Sequence, residues 1–334
     1  MLTRYGHRSV ILFVLLALLL TNCGKNNKPQ EGSPEKTDTQ QITIVETSRS
    51  FMNAPLYIAI EKGFLKGEQL SVTLETQHNL TQAADALNAN QVQFLVSPSD
   101  KIMYLYQQDL KNFLLIAQVS NSKGYFLLAR KAGPFQVQDI KGKVIVGYRG
   151  GDLPFTLLYS ELRKNGLRPF LSYHPVENLT YDSIPSVYRG GSGHFILAEE
   201  PLVSSLEAEG IGQLLSAIEL ANSPLPAHTV MVSKDFLNSN SVACRSLLRA
   251  LQLSQAWLDQ ESPAEIATTL KPYFAQYSEN TLQRAAGRYK NAGCWGELQI
   301  NTKSFLSLQS IMLSETELRQ NIPANLLLDY SLLK

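Results

Sequence analysis

The sequence predicts an α/β fold built from two doubly wound units. Apolar, strand-like segments alternate with amphipathic helical segments between residues 42 and 209, and this order is typical of parallel sheets with helices on both faces. A break containing glycine and proline at Lys131–Pro134 divides the alternation into two series. From about Ser241 the apolar spacing is helical only, so the chain is expected to end in helices.

The first unit is expected to begin with a strand and a short helix. Proline in the first turn and Gly63 directly after the last turn favour a helix at Pro55–Lys62. The segment Ser97-Pro98-Ser99-Asp100 follows a strand and predicts a second helix start with Ser97 as its N-cap. The other predicted elements of this unit are the strands Ile42–Ser48, Leu70–Thr76, Val92–Ser97, Phe113–Val119 and Tyr125–Arg130 and the helix Thr81–Ala89.

The second unit is expected to start after Pro134 with the strand Val144–Gly147. The segment Gly150-Gly151-Asp152 then leads into a helix that has Pro154 in its first turn and ends at Gly166. The remaining predictions are the strands Leu171–Pro175 and Phe195–Ala198 and the helices Glu200–Glu209, Val242–Leu258, Ala264–Leu270 and Asn280–Tyr289.

The N-terminal segment has the pattern of an export signal. Arg4 and Arg8 precede the apolar run Ser9–Leu20, which is shorter than the roughly 20 residues of a membrane span. Cys23 follows and resembles the lipobox cysteine of bacterial lipoproteins, which is acylated and needs two acyl chains for stable anchoring. The alternative is a plain cleaved signal with a chance cysteine. We expect residues 1–22 to be a signal peptide and residues 23–41 a lipidated, disordered tether.

Composition limits the function classes. The 334 residues include 30 Lys and Arg against 29 Asp and Glu, so the chain has no electrostatic footprint for nucleic acid. A hydrophobic content of 44% is sufficient for two domains with a substantial core. Histidine and cysteine show no metal-ligand spacing, and no phosphate-binding loop or dinucleotide fingerprint occurs in the sequence. We therefore expect neither a metal nor a cofactor.

Two cysteines remain if Cys23 is acylated. In an oxidising compartment Cys244 and Cys294 could form a disulfide, which would stabilise the fold by roughly 4 kcal/mol in the chain-entropy model. Cys244 also lies on an apolar stripe with Leu248 and Leu251, which suits a buried free thiol. The sequence leaves both alternatives open.

A set of short motifs resembles one family of transport proteins. The segment Asn53–Leu65, with its Pro-Leu-Tyr and Lys-Gly-Phe, is similar to the opening motif of ABC-transporter substrate-binding proteins in the nitrate, sulfonate, taurine and thiamine-pyrimidine-precursor branch. Asn90, Gln93 and His194 replace a glycine and two aspartates of the family pattern. Further resembling stretches follow in the family's order at Ala86–Phe94, Asp139–Lys143, Leu162–Leu167, Gly193–Pro201 and Ile322–Ser331.

The resemblance implies a monomeric, extracytoplasmic solute-binding lipoprotein with a clamshell fold. Lobe 1 would combine residues 42–130 and 230–334, and lobe 2 would be residues 131–229. The chain would cross near Ala129–Pro134 and Pro226–Met231, and these two crossings would form a hinge that closes over a small molecule. Its partners would be that solute, an ABC permease and, through the lipid anchor, the membrane.

Two rival functions remain. The same scaffold carries enzymes of pyrimidine synthesis and of the menaquinone pathway. The export signal argues against them, and so does the absence from this sequence of the cysteine-rich motif of the synthases. A receptor used for signalling or adhesion is the second rival, because a fold does not fix a function.

Three strand-to-helix loops should meet in the cleft of such a protein. These are Thr47–Asn53, Ser97–Asp100 and Tyr148–Asp152, where unpaired N–H groups and the positive helix end favour an anion. The candidate ligand-binding residues in and near these loops and at one further strand end are Arg49, Asn53, Tyr57, Ser99, Asp100, Arg149, Asp152 and Glu199.

The charges of these candidates predict the sign of the ligand. Asp100, Asp152 and Glu199 would repel an anion, although the two aspartates could equally be helix caps. Arg49 and Arg149 could instead supply forked donors to a carboxylate or phosphate. With tyrosine rings available for stacking, the sequence favours an amine-bearing or heteroaromatic ligand, and a sulfonate or nitrate is the alternative.

Overall fold

The computed structural model describes residues 39–131, 133–215, 220 and 223–333. The predicted signal peptide, Cys23 and residues 23–38 of the predicted tether lie outside these residues. In the described part of the chain, no helix is both long and apolar enough to cross a membrane.

The strands alternate with helices, which confirms the predicted α/β class. The strands are β1 Gln40–Glu46, β2 Leu70–Thr76, β3 Phe94–Pro98, β4 Phe113–Asn121, β5 Tyr125–Ala129, β6 Val144–Val146, β7 His174–Val176, β8 Phe195–Glu199, β9 Gln213–Leu214 and β10 Pro226–Ser233. The α-helices are α1 Ala54–Glu61, α2 Phe64–Gly67, α3 Leu80–Asn88, α4 Lys101–Gln107, α5 Leu153–Lys164, α6 Ile184–Arg189, α7 Leu202–Ala208, α8 Lys234–Ser239, α9 Ser241–Gln260, α10 Pro263–Leu270, α11 Glu279–Ala292 and α12 Thr302–Ser314.

The strands form two five-stranded sheets, with the orders β2-β1-β3-β10-β4 and β7-β6-β8-β5-β9. Strand β1 is parallel to β2 and β3, whereas β10 is antiparallel to both of its neighbours. In the second sheet β6 is parallel to β7 and β8, and β5 is antiparallel to β8 and β9. The sheets are therefore mixed: the expected parallel pairing holds for β1 with β2 and β3 and for β6 with β7 and β8. Each of β5 and β10 begins at the side of its sheet where the parallel strands end, because the chain has just crossed over there. Both strands are therefore antiparallel to their neighbours.

The first crossing between the sheets is a short 3₁₀ turn, Ser122–Gly124. The sequence placed it at Ala129–Pro134, but Tyr125–Ala129 pairs along its whole length with β8 of the second sheet. The second crossing lies between β9 and β10, before the predicted Pro226–Met231. The two crossings lie side by side, because Ser122 N–H donates to the Leu225 carbonyl and Leu225 N–H donates to the Ser122 hydroxyl.

Local signals set several helix ends as expected. A proline at the start of α1 and Gly63 in the left-handed region, with φ of 72°, bound that helix. The predicted Ser97 N-cap was wrong, since Ser97 stays in β3 and α4 begins after Asp100. Ser97 pairs with Thr229 of β10, and the Thr229 hydroxyl donates to the Ser97 carbonyl, so strand pairing overrides the local capping pattern.

Cys244 and Cys294 are separate buried thiols, so the disulfide alternative is wrong in this structure. Cys244 packs under the first sheet with the apolar side of α9, and Cys294 lies after α11 in the other large apolar cluster. Burial raises the pKa of the Cys244 thiol to about 12. Both side chains therefore act as small apolar residues.

The first crossing is tightly packed, which makes Gly124 a test of its geometry. A Cβ at this position would lie 2.4 Å from Met52 Cε and 2.8 Å from Cys294 Sγ. We expect Gly124→Ala to lower the free energy of unfolding by about 1–3 kcal/mol through overpacking, measured by urea denaturation. The control is Gly67→Ala, because no atom lies within 4 Å of a Cβ there. Equal stability of the two variants would contradict the tight packing.

Candidate ligand-binding site

A buried carboxylate organises the first loop of the site. Glu46, the last residue of β1, is fully buried and accepts hydrogen bonds from the hydroxyl of Tyr57, from Asn53 Nδ2 at 3.0 Å and from Thr76 Oγ1 at 3.2 Å. Arg49 Nε completes the set at 3.0 Å. Burial raises the pKa of Glu46, and these partners oppose that shift. Three sequence candidates, Arg49, Asn53 and Tyr57, thus meet around a residue that was not predicted.

These contacts change the roles of Arg49 and Tyr57. The Arg49 guanidinium is paired with Glu46 and lies over the rings of Tyr57 and Tyr273, at 5.4 and 5.2 Å from their centroids. Tyr57 is fully buried and stacks on Tyr273 with ring centroids 4.3 Å apart. Its ring therefore fills the core, and the charge of Arg49 is already balanced.

Asn53 links this carboxylate to a buried histidine. Its Nδ2 donates to Glu46, which fixes the amide so that its Oδ1 faces His228 Nδ1 at 2.7 Å. The hydrogen on His228 is therefore assigned to Nδ1. Burial and the positive charge of Lys101 lower the pKa of His228 to about 3, so the ring is neutral at physiological pH. No sequence pattern pointed to His228, which is a lone histidine in an apolar strand.

A lysine joins the two predicted aspartates across the sheets. Lys101 Nζ lies 3.0 Å from Asp100 Oδ2 and 2.8 Å from Asp152 Oδ1. Asp100 and Lys101 follow β3 of the first sheet, and Asp152 precedes α5 of the second. Neither aspartate makes a side-chain cap bond to its helix. Both occupy N-cap positions, but their carboxylates are used in this tertiary ion triad.

Two members of this triad, Asp100 and Lys101, have shifted pKa values. Asp100 is only 1% exposed, and burial raises the pKa of its carboxyl group. The pKa of Lys101 is raised by the two carboxylates, which outweigh the desolvation that lowers it. A neighbouring contact reinforces the same junction, because the Tyr104 hydroxyl lies 2.8 Å from the Gly151 carbonyl and 2.9 Å from Glu317 Oε2. The elements of the two sheets are thus joined by charge and by hydrogen bonds.

Glu199 lies apart from this triad, at the carboxyl end of β8. Its side chain is 4% exposed and accepts a hydrogen bond from the Tyr181 hydroxyl. Burial raises the pKa of Glu199 to about 7, against the lowering effects of Tyr181 and the Ser50 hydroxyl. Glu199 borders a cavity of about 30 Å³. The lining residues are Tyr148, Tyr181, Ile184, Pro185, Leu197, Ala198, Glu199, Leu202 and Tyr277.

The adjacent Glu200 belongs to a second ion network. Arg288 Nη1 lies 2.5 Å from Glu200 Oε1, and its Nη2 lies 2.5 Å from Glu207 Oε2. The Glu200 N–H donates to the hydroxyl of Tyr289, which in turn donates to the Gly124 carbonyl. This chain of contacts connects α11 and the first crossing to the end of β8, directly beside Glu199.

The remaining candidates have different environments. The Ser99 hydroxyl donates to the Pro226 carbonyl at 2.5 Å, so it fixes the start of β10. Arg149 is exposed, and its side chain forms no hydrogen bond or ion pair with the residues that the structure describes. Tyr181 and Tyr277 were missed, because both lie in loops without a recognisable motif.

Comparison with known proteins agrees with this architecture. Residues 50–265 match the sequence profile of a family described as NMT1/THI5 like. The chain belongs to the NMT1/THI5-like family. It is also 27% identical over 298 residues to YtlA of Bacillus subtilis (strain 168), which carries the name of a binding protein, across 88% of this chain and 89% of that protein. The family resemblance drawn from the sequence is confirmed.

Solved structures share the two-lobe fold of this family member. The alkanesulfonate-binding protein SsuA from Xanthomonas axonopodis pv. citri, bound to MOPS, has a TM-score of 0.70 at 17% identity, over 86% of this chain and 97% of SsuA. The nitrate-binding protein NrtA from Synechocystis PCC 6803 has a TM-score of 0.57 at 16% identity, over 81% and 75%. Both are periplasmic-type binding folds, which confirms the predicted architecture.

The raised pKa of Glu199 predicts a pH-dependent stability. An unfolded glutamate titrates near about 4.3, and burial moves the folded value to about 7. Between these values the folded state binds more protons, so this group lowers stability as the pH rises and adds no further loss above about 7. Relative to the wild type, Glu199→Gln should gain on the order of 3 kcal/mol between about pH 4 and pH 8.

Urea denaturation at a series of pH values measures this difference. Glu209→Gln is the control, because Arg189 lowers the pKa of Glu209 and the change relative to wild type should have the opposite sign. A constant difference between Glu199→Gln and the wild type at every pH would show that Glu199 has an ordinary pKa.

Proposed function

We propose that this protein is an extracytoplasmic solute-binding lipoprotein that delivers an amine-bearing or heteroaromatic small molecule to an ABC importer. Membership of the NMT1/THI5-like family and the two-lobe fold support the transport role. The predicted export signal supports the location. The charge and the aromatic lining around Glu199 support the ligand class.

The observation that carries the ligand class is the uncompensated carboxylate of Glu199. Two partly buried cations near the site already have ion-pair partners, since Lys101 pairs with two aspartates and Arg49 pairs with Glu46. Among the described residues, Glu199 has hydroxyl partners but no ion-pair partner. A ligand that brings a positive charge or N–H donors would compensate this buried group, whereas an anion would be repelled by it.

The lining of the cavity favours a flat ring. Tyr148 and Tyr181 have ring centroids 6.0 Å apart, and Tyr125 lies 6.2 Å from Tyr148. Tyrosine faces stack on aromatic ligands and attract cations. The Glu199 carboxylate lies beside these rings. The arrangement therefore suits an aminated heteroaromatic ring that stacks on the tyrosines and donates hydrogen bonds to Glu199.

The small size of the cavity supports a motion that opens the site. About 30 Å³ is space for roughly one water molecule, well below the roughly 300 Å³ of a small-molecule pocket. We propose that each sheet with its helices forms a lobe, and that the paired crossings at Ser122–Gly124 and before Pro226 act as the hinge. Opening of the lobes would separate Lys101 from Asp152. The ligand would then enter the space between this ion pair and Glu199.

An anion receptor of the sulfonate or nitrate type is the second candidate. Its support is Arg149, which is exposed on the same loop as Asp152 and whose side chain has no polar partner in the described part of the chain. Arg149 would have to outweigh the carboxylates for such a ligand to bind.

Binding measurements with defined probes separate the two ligand classes. We expect an aminopyrimidine to raise the melting temperature, and nitrate and ethanesulfonate to leave it unchanged, because only the folded state binds. Calorimetry should show that Glu199→Gln weakens aminopyrimidine binding by roughly 1–3 kcal/mol, while Glu209→Gln has no effect. Binding of the anions, with losses confined to Arg49→Gln and Arg149→Gln, would establish the second candidate instead.

Lipid anchoring at Cys23 is tested separately from ligand binding. Cys23→Ser should abolish metabolic labelling by radioactive palmitate and release the protein from membranes, because the thiol carries the anchor. The matched control is Cys294→Ser, which changes a buried free thiol in the folded body and should leave labelling unchanged. Labelling that persists in Cys23→Ser would refute the lipoprotein assignment.

A further inference from the structure

The turn between α5 and β7 exposes two adjacent large apolar side chains. Phe170 is 60% exposed and Leu171 is 81% exposed. Most large apolar side chains of the described residues are buried in the clusters under the two sheets. A pair of neighbouring, largely exposed apolar residues therefore requires an explanation.

The backbone holds this pair outward at a conformational cost. Phe170 has φ of 64°, in the left-handed region that a bulky aromatic residue rarely adopts. Its N–H donates to the Tyr173 carbonyl at 2.8 Å, and Ser172 N–H donates to the Arg168 carbonyl at 2.8 Å. Arg168 N–H donates to the Ser172 hydroxyl at 3.0 Å. These hydrogen bonds within the turn fix its backbone, so the side chains of Phe170 and Leu171 are held toward solvent.

Three unpaired cations surround the turn. Gly142 N–H donates to the Ser172 carbonyl, which places Lys141 and Lys143 beside it. Within the described residues, the side chains of Lys141, Lys143 and Arg168 make no hydrogen bond or ion pair.

The acidic groups near the turn are already engaged. Lys164 Nζ lies 2.8 Å from Glu161 Oε2, and Asp139 Oδ2 accepts a hydrogen bond from the Gln136 N–H at 2.8 Å. The surface around the two apolar side chains therefore carries a net positive charge.

We propose that Phe170 and Leu171, with Lys141, Lys143 and Arg168, form a docking surface for an anionic lipid bilayer. Apolar side chains that enter the headgroup region and cations that meet lipid phosphates are the two components of interfacial binding. The charge of the patch matches this partner. The chain outside the described residues begins with the predicted signal and Cys23, and residues 24–38 span at most about 50 Å. A body held on such a tether stays within reach of the membrane surface.

Site-specific fluorescence tests the proposal on the full chain. Leu171→Cys is labelled with an environment-sensitive nitrobenzoxadiazole probe, and Val242→Cys, at a position 67% exposed on α9, is the matched control. Cys244 and Cys294 are buried and do not compete for the label, and Cys23 is the same in both proteins. The probes are vesicles of phosphatidylcholine alone or mixed with phosphatidylglycerol.

With the mixed vesicles, we expect the label at position 171 to shift its emission to shorter wavelength, gain intensity several-fold and be quenched by spin-labelled lipid. The label at position 242 should not respond. Replacing Lys141, Lys143 and Arg168 by glutamine, or raising the salt concentration, should remove the response at position 171. Unchanged melting temperatures show that the variants are folded.

Three outcomes would overturn the proposal. These are an equal response at positions 171 and 242, an equal response to phosphatidylcholine alone, and no response at position 171. A response that depends on protein concentration without vesicles would show that the occupant is a second copy of this chain, and would also overturn it. Because the test uses vesicles and no solute, its result is independent of the proposed ligand.

Discussion

Both passages of the chain between the two sheets lie at the carboxyl ends of the parallel strands, and the rest of the structure depends on this constraint. It forces β5 and β10 to run antiparallel to their neighbours. It also places the loops after β1, β3, β6 and β8 at one junction. The contact between Ser122 and Leu225 holds the two passages together, so the side chains that face this junction come from segments far apart in sequence.

The junction is rich in carboxylates, and its chemistry follows from how each one is compensated. Glu46 has a guanidinium and three neutral donors, and Asp100 and Asp152 share one ammonium group. Removing Lys101 would leave a buried charge without a partner, which is far more costly than losing a surface ion pair. Glu199 differs because its carboxylate accepts hydrogen bonds from hydroxyl groups only and has no ion-pair partner among the described residues. That difference separates the groups that hold the protein together from the one to which we assign the proposed ligand.

The sequence predicted the elements well where the signal was local. Strand Leu70–Thr76 was correct at both ends, and Pro55 and Gly63 marked a helix that the structure contains. The capping role of Ser97 and the site of the first crossing were wrong, because strand pairing with distant segments decided them. The cluster around Glu46 was only partly predictable: Arg49 and Asn53 lie in one loop, but Tyr57 belongs to α1, and Thr76 and Glu46 itself are strand ends. His228 and Tyr181 could not be found from local patterns, since only the topology brings them to the site.

The internal pairing of the junction limits how tightly a ligand can bind. The arrangement described here already contains the Lys101–Asp152 contact and the hydrogen bonds of the Tyr104 hydroxyl with Gly151 and Glu317. A ligand can shift the balance between open and closed arrangements only by its differential affinity for them. A ligand that displaced Lys101 would lose what that ion pair contributes, whereas one that filled the space beside Glu199 would keep the pair and satisfy a further buried group. In the clamshell that we propose, the second route gives the larger net stabilisation of the closed form, so selectivity should depend on Glu199 and the tyrosines around it rather than on the aspartates.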